Sequence, residues 1–218
     1  MSPRLLLYTR TADYRHDSIP DAVAAVRTHG RFAVEHTEDP ADLERSLDGF
    51  AAVVFLSTSG DVLTPDGRER LRRYVAAGGG FAGVHAAACT EYGWPWFGDL
   101  LGARFTRHPA CQPGRALVAD PGHPATQGLP AVWGLTDEWY DFDRAPRDAF
   151  RVLLRADEAS YDGGGMGADH PLAWCRERDR AGGRMFYTAL GHTAEAYRDP
   201  VFLGHLIGGL TWAARSAE

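Results

Sequence analysis

The sequence predicts a doubly wound α/β sandwich with a mainly parallel central sheet and antiparallel additions in the second half of the chain. Over the first half, apolar runs typical of buried strands alternate with amphipathic stretches. This alternation is characteristic of parallel strands joined by helices. The segment 78–88 (GGGFAGVHAAA) adds a short strand, a sharp corner and a predicted helix, an arrangement that α/β folds place at the edge of the sheet.

Local patterns in the first half place four strands and two helices. A helix over 18–29 begins with Ser18, Pro20 and Asp21, because serine caps a helix, proline fits its first turn and a carboxylate favours its N-terminus. A second helix covers 64–77 and ends at a glycine run. The four predicted strands are the apolar runs 5–9, 32–38, 51–57 and 80–85.

The second half is less regular. Its predicted strands cover 114–119, 150–155, 172–176 and 184–189, and its predicted helices cover 94–101 and 200–214. The chain is 44% hydrophobic, and no linker or internal repeat divides it. We therefore expect residues 1–218 to form one domain around a sizeable core.

The composition narrows the classes of function. The formal net charge is −6, whereas binding to nucleic acid needs a basic surface, so nucleic acid is not an expected partner. The chain has no lysine, which removes Schiff-base chemistry. The first ten residues are apolar too briefly for a signal peptide, and no run reaches membrane-spanning length. We expect a cytoplasmic protein without membrane contact.

The cysteines do not form a recognisable framework. Cys89, Cys111 and Cys175 fit neither a disulfide pattern nor a CxxC metal motif. Cys89 lies four residues after His85, about one helical turn, so its thiol could face the same cleft. A small, buried, apolar residue is the favoured interpretation of Cys89.

Polar side chains follow several predicted strands, at the edge where open α/β sheets bind ligands. They are His16 and Asp17 after the first strand, Thr58 and Ser59 after the third, His85 at the end of the fourth and His192 after the last. We predict that these three histidines and two hydroxyl-rich loops meet at one edge of the sheet. Ordinary turn residues are the alternative for the serine and threonine positions.

His85 is expected to be the exposed side chain at the glycine-rich corner. Small residues flank it because the backbone turns tightly, and a helix N-terminus would keep its imidazole neutral, able to accept a proton or bind a metal. The other histidines have simpler interpretations. His16 could bond loop backbone, and His108, His123 and His170 each precede proline, a pattern common in turns.

Aromatic rings beside carboxylates suit carbohydrate binding, since rings stack on sugar C–H faces while carboxylates hold hydroxyls. The segment 137–140 (DEWY) has this composition, with Glu138 as a candidate catalytic carboxylate and Tyr140 as a candidate substrate-binding residue. The alternative is a strand with Trp139 in the core and Glu138 in solvent. The remaining candidates for substrate binding are Asp17, Thr58, Ser59 and Tyr187.

Five segments together resemble the ThuA-like (trehalose utilisation) proteins. They are 14–19 (YRHDSI), 78–87 (GGGFAGVHAA), 137–140 (DEWY), 170–174 (HPLAW) and 186–192 (FYTALGH), and the similarity runs from Leu5 to about Ala213. The resemblance implies a class I glutamine amidotransferase-like fold. It also implies a role in bacterial carbohydrate metabolism, often alongside sugar oxidoreductases that generate 3-keto-glycosides.

The amidotransferase comparison also implies positions for two histidines. His85 stands where amidotransferases have their nucleophilic cysteine, and His192, with Glu195 three residues on, matches their late catalytic histidine. Since the cysteine is missing, glutamine hydrolysis is not expected.

Three functions remain open from the sequence. The first is a lyase, hydrolase or isomerase acting on a sugar or 3-keto-glycoside, with His85, His192 and His16 as base, acid or metal ligands and Glu138 as their carboxylate partner. These histidines could hold a divalent ion such as Zn²⁺, although no HxH or HExxH spacing is present. The second is a non-catalytic sugar-binding or assembly module, and the third is thiol chemistry through Cys89. A homodimer is the commonest assembly for such a chain.

Overall fold

A nine-stranded sheet organises the chain. The computed structural model describes residues 2–146, 149–177 and 182–214. In chain order the elements are β1 (Arg4–Tyr8), α1 (Ile19–Thr28), β2 (Ala33–Thr37), β3 (Ala52–Leu56), α2 (Pro65–Ala76), β4 (Gly80–Val84), α3 (Pro95–Leu101), β5 (Phe105–Arg107), β6 (Gln112–Val118), β7 (Val132–Asp137), β8 (Asp141–Phe142), β9 (Arg151–Ala156), β10 (Pro171–Arg176), β11 (Met185–Thr188) and α4 (Pro200–Ala213).

The sheet has a parallel half and an antiparallel half. Its strand order is β2-β1-β3-β4-β11-β10-β9-β6-β7. The five strands from β2 to β11 pair in parallel, and each remaining pairing is antiparallel. A separate two-stranded ribbon joins β5 to β8. The predicted fold, parallel at its centre with antiparallel additions, is confirmed. None of the helices described has the length and apolar character that a membrane crossing requires.

Every strand, and every helix except the one expected after the glycine-rich corner, is present with ends within two residues of the prediction. The missed elements are β5, β7 and β8. Two of these have three residues or fewer and cannot show a periodic pattern, and Gly134 interrupts the apolar alternation of β7. The single-domain expectation stays a prediction.

Two local expectations were wrong. A single 3-10 turn, His85–Cys89, follows β4 in place of a helix. The backbone there bonds to Gly60 instead of continuing a helix. The Gly60 N–H donates to the carbonyl oxygen of Cys89, and the Gly60 carbonyl oxygen accepts from the N–H of Glu91. Ser18 does occupy the N-cap of α1, but its side chain makes no capping bond and instead donates to the carbonyl oxygen of Gly191 at 3.5 Å.

Gly80, at the start of β4, sits where the chain has no room for a side chain. A Cβ there would lie 2.2 Å from the carbonyl oxygen of Ala213 and 2.8 Å from that of Ala51. We expect Gly80→Ala to lower the free energy of unfolding by about 1–3 kcal/mol, because backbone must move to accept the methyl group. The matched control is Gly134→Ala, where nothing lies within 4 Å of the new Cβ.

Urea denaturation of both glycine variants tests this expectation. The control change should stay within about 0.5 kcal/mol of the parent protein. Equal denaturation midpoints for the two variants would contradict the tight packing of α4 and β3 around β4.

Candidate functional site

The corner after β4 holds His85 in a constrained conformation. Its backbone has φ +51°, a left-handed value that is uncommon for a residue other than glycine. Ser57, at the end of β3, has φ +50°. The corner is held by two hydrogen bonds: the Tyr187 hydroxyl donates to the His85 carbonyl oxygen at 2.9 Å, and His85 Nδ1 lies 2.6 Å from the carbonyl oxygen of Ala189. Strained backbone of this kind collects at functional sites.

His85 is fully buried, so the expectation of an exposed side chain at this corner was wrong. The reason is that other side chains cover it. His85 Nε2 lies 3.0 Å from His16 Nε2, 2.9 Å from the Tyr140 hydroxyl and 3.5 Å from Glu138 Oε2. Since Nδ1 faces a carbonyl oxygen, it carries the proton, and the lone pair is on Nε2, facing these three groups.

His192 enters the same cluster from the loop after β11. Its Nδ1 lies 3.2 Å from Glu138 Oε2. The fully buried Asp137 carboxylate sets this geometry, because it accepts the backbone N–H groups of Glu138 (2.8 Å), Gly191 (2.8 Å) and His192 (3.1 Å). The end of β7 is thereby joined to the exit of β11, although the two are far apart in the sheet.

Charge is distributed unevenly within the cluster. Burial, reinforced by His85 and His192, lowers the pKa of His16 to about 3, so this imidazole is neutral at physiological pH. Burial opposes ionisation of Glu138, but the neighbouring His192 and His85 hold the pKa of that carboxyl well below its usual range. The Glu138 carboxylate in turn raises the pKa of His192. The cluster therefore combines the ionised Glu138 carboxylate with the neutral imidazole of His16.

A cavity of about 420 Å³ opens onto this cluster. It is lined by Asp13, Tyr14, His16, Ser59, Ala86, Cys89, Tyr92, Phe105, His108, Glu138 and Tyr140. Five of these are buried, and three of the five, His16, Glu138 and Tyr140, form what we call the floor. Tyr14 and Tyr92 are 63% and 53% exposed and form the rim.

The structure brings together some predicted residues and separates others. His16, His85, His192 and Glu138 meet in one cluster, and His16, Glu138, Ser59 and Tyr140 line the cavity. The remaining predicted residues lie outside the cavity lining: the Thr58 hydroxyl pairs with Thr90 in the interior at 2.7 Å, Tyr187 supports the His85 backbone, and Asp17 and Glu195 are exposed. Glu138, and not Glu195, is the carboxylate beside His192.

His108 is a cavity residue that sequence reasoning assigned to a turn. Its Nδ1 lies 2.8 Å from the carbonyl oxygen of Pro109 and 3.5 Å from Glu138 Oε1, so the proton is on Nδ1 and the lone pair is on Nε2. The ring stacks against Tyr140, and β5, which precedes His108, pairs with β8 beside Tyr140. The His-Pro dipeptide is no guide to such a role, because the ribbon that positions His108 is too short to predict.

His170 lies behind the floor and does not face the cavity. Its Nδ1 is 2.7 Å from Glu158 Oε1, and its Nε2 is 2.8 Å from the carbonyl oxygen of Tyr140. Asp141, Glu158 and His170 could in principle hold a metal ion. Internal partners already engage all three, because Arg107 pairs with Asp141 and two backbone N–H groups donate to Glu158. We interpret this group as support for the Tyr140 backbone.

The family to which the chain belongs follows from a match over nearly its whole length. Residues 4–213 match the family described as "ThuA: Trehalose utilisation". The chain belongs to the ThuA family. Comparison with curated proteins gives no match.

Solved structures similar to this ThuA-family chain show the same fold. A ThuA-like protein from Bacteroides uniformis has a TM-score of 0.82 and 24% identity, over 97% of this chain and 92% of that one. Another from Parabacteroides merdae has a TM-score of 0.81 and 23% identity, over 98% and 90%. A PurLQS structure from Thermotoga maritima has a TM-score of 0.60 and 14% identity, over 97% and 99%. The amidotransferase-like fold predicted for the chain is confirmed.

Cys89 lies in the cavity wall of this ThuA-family protein but is poorly suited to thiol chemistry. Burial raises its pKa to about 12, whereas the thiolate is the reactive form. We expect iodoacetamide at pH 8 to alkylate the exposed Cys111 and to leave Cys89 largely unmodified. Peptide mass spectrometry over a time course measures both positions. Modification of Cys89 at the rate of Cys111 would restore thiol chemistry as an explanation of the site.

Proposed function

We propose that this protein is an enzyme of carbohydrate metabolism that acts on an oxidised sugar, a 3-keto-glycoside, and has no glutaminase activity. One observation carries the proposal: three imidazoles and an ionised carboxylate form one cluster, and two of its residues, His16 and Glu138, line a cavity with aromatic walls. The family description, trehalose utilisation, supports a sugar as the ligand class.

The cavity suits a ligand of this kind. Its volume of about 420 Å³ lies within the range of small-molecule sites. Tyr14 and Tyr92 at the rim, with Phe105 in the wall, offer ring faces for the C–H surface of a pyranose. Asp13 and Ser59 offer a carboxylate and a hydroxyl for sugar hydroxyl groups.

The proposed reaction begins with loss of the C2 proton, which the neighbouring C3 carbonyl makes acidic. In the neutral imidazole of His108, the hydrogen bond at Nδ1 leaves the lone pair on Nε2, which takes this proton. The C2–H electron pair forms the C2=C3 double bond of an enolate. When the C3 carbonyl forms again, that pair moves to the C1=C2 bond and the C1–O bond breaks. The leaving oxygen takes the proton held by His108, which releases the aglycone as an alcohol and restores the base. Burial raises the pKa of Tyr140 well above its ordinary value, so its O–H remains protonated and can donate to the enolate oxygen.

The reaction needs no oxidant at this site, because the substrate already carries the ketone. A sugar oxidoreductase that oxidises the C3 hydroxyl must supply it. In the part of the chain that the structure describes, the site also lacks a nucleophile suited to glutaminase chemistry. His85 stands in the nucleophile position but is buried, and the Cys89 thiol is protonated because burial raises its pKa.

The test is release of 4-nitrophenol from a 4-nitrophenyl 3-keto-glucoside. We expect turnover by the parent protein and none with the unoxidised glucoside, whose C2 proton is not acidic. His108→Asn should lower kcat by about 100-fold or more, the usual contribution of a general base. His29→Asn, a histidine change at an exposed position, is the matched control and should leave kcat unchanged.

Binding measurements separate the outcomes of this assay. Tight binding of the keto-sugar without turnover would favour the alternative, a non-catalytic sugar-binding module. The absence of both binding and turnover would contradict the proposed substrate class.

A further inference from the structure

Four electron-pair donors converge beside the cavity from four separate parts of the fold. One donor atom from each of His16, His85, Glu138 and His192 lies within 4.8 Å of the other three. His16 follows β1, His85 follows β4, Glu138 follows β7 and His192 follows β11. A packing contact between two neighbouring loops would not require all four side chains to aim at one point.

Three interatomic distances within the cluster match those expected between the ligand atoms of a four-coordinate metal site. An ion with metal–nitrogen distances of about 2.0–2.1 Å in tetrahedral geometry places its ligand atoms roughly 3.3 Å apart. The observed separations are 3.0 Å for His85 Nε2 to His16 Nε2, 3.5 Å for His85 Nε2 to Glu138 Oε2, and 3.2 Å for His192 Nδ1 to Glu138 Oε2.

The tautomer of His85 is set for ligation. A histidine that binds a metal through one ring nitrogen usually donates the hydrogen of the other to a carbonyl or carboxylate, which fixes the ring. His85 Nδ1 does this at 2.6 Å from the Ala189 carbonyl oxygen. The lone pair of Nε2 then faces His16, Glu138 and the Tyr140 hydroxyl, which is more partners than one lone pair can serve.

Hydrogen bonding leaves part of the cluster unexplained. Within the described part of the chain, the buried His192 Nδ1 makes no hydrogen bond, although Glu138 Oε2 is only 3.2 Å away. The two atoms are close enough for a hydrogen bond, but the Glu138 oxygen is poorly aligned with the direction of an N–H bond at Nδ1. Lone pairs and a carboxylate that face one another repel unless positive charge lies between them.

We propose that His16, His85, His192 and Glu138 form a binding site for a divalent transition-metal ion, with Zn²⁺ as the best match. Three imidazole nitrogens and one carboxylate oxygen suit Zn²⁺ and its first-row neighbours, whereas Mg²⁺ and Ca²⁺ prefer all-oxygen sites. His16 and Glu138 also line the cavity, so a bound ion would be accessible to a ligand. With all four residues as ligands, polarisation of a substrate carbonyl oxygen would require the ion to become five-coordinate.

The test uses metal and no sugar, so its failure is distinguishable from failure of the proposed substrate. Protein stripped with a chelator is titrated with Zn²⁺, measured by elemental mass spectrometry after gel filtration, and with Co²⁺, measured by visible absorption of the four-coordinate ion. We expect one equivalent of metal and a rise in the thermal midpoint. His85→Asn and Glu138→Gln should each weaken binding by more than about 100-fold, since loss of even a ligand's hydrogen-bond partner costs 10–100-fold.

His108→Asn is the matched control, because His108 contacts Glu138 but is not among the four proposed ligands. It should retain one equivalent of metal. Failure of the folded parent protein to bind either ion would overturn the site. A proton on His192 would then supply the positive charge between its ring and the Glu138 carboxylate. Full binding by His85→Asn, or equal loss in the control, would overturn the ligand set. Thermal unfolding of each variant confirms that it is folded.

Discussion

Replacing His85 by asparagine is expected to abolish keto-glycoside turnover, with a fall of about 1000-fold in kcat/KM, while the protein stays folded. Asparagine tolerates the left-handed backbone at φ +51° but lacks the ring nitrogen that contacts His16 and Tyr140. Steady-state kinetics with the 4-nitrophenyl keto-glucoside measures the loss. The buried position of His85 makes this a test of the cluster and not of one accessible base.

His85→Ala separates conformation from chemistry. Alanine in a left-handed conformation costs about 1–2 kcal/mol, so this variant should lose both turnover and stability. With both variants free of metal, His85→Asn should lose turnover but lower the thermal midpoint less than His85→Ala does. More than a tenth of the parent activity in His85→Asn would contradict a role for this imidazole in the reaction.

Asp137→Ala is expected to destabilise the protein by several kcal/mol. The substitution leaves the backbone N–H groups of Glu138, Gly191 and His192 buried without an acceptor, and each such loss costs about 1–3 kcal/mol. Total stabilities of domains are typically about 5–15 kcal/mol, so the effect is a large fraction of the whole. Urea denaturation followed by circular dichroism measures the change.

Asp21→Ala is the control for this experiment. Asp21 pairs with Arg198 at the surface, and exposed ion pairs contribute less than about 1 kcal/mol. Asp137→Asn keeps one acceptor oxygen and should fall between the two. Equal midpoints for the Asp137 and Asp21 alanine variants would mean that Asp137 does not join the β7 and β11 loops.

The histidines of the site were predictable because they follow parallel strands. The carboxyl ends of such strands meet at one edge of the sheet, so strand ends in the sequence imply proximity in space. His16, His85 and His192 obey this rule. Even so, the rule places residues at an edge without saying which are covered, and His85 is buried beneath the others.

Glu138 comes from the antiparallel half of the sheet, where strand ends alternate between the two edges and position in the sequence implies little, and His108 comes from the separate ribbon. Glu138 reaches His192 only through the Asp137 hydrogen bonds, which join residues 54 and 55 positions apart in the chain. His108 follows a strand of three residues. These contacts depend on tertiary packing, and no local pattern in the sequence reports them.

Exchange of the C2 proton of a 3-keto-glycoside in deuterated water tests the central claim most directly. Proton NMR follows loss of the C2 signal, which reports proton abstraction whether or not the aglycone leaves. With the parent protein we expect loss of this signal, by exchange or elimination, at a rate well above the uncatalysed one. We expect little loss with His85→Asn or His108→Asn. A C2 signal that persists while the keto-sugar is bound would contradict the proposed chemistry.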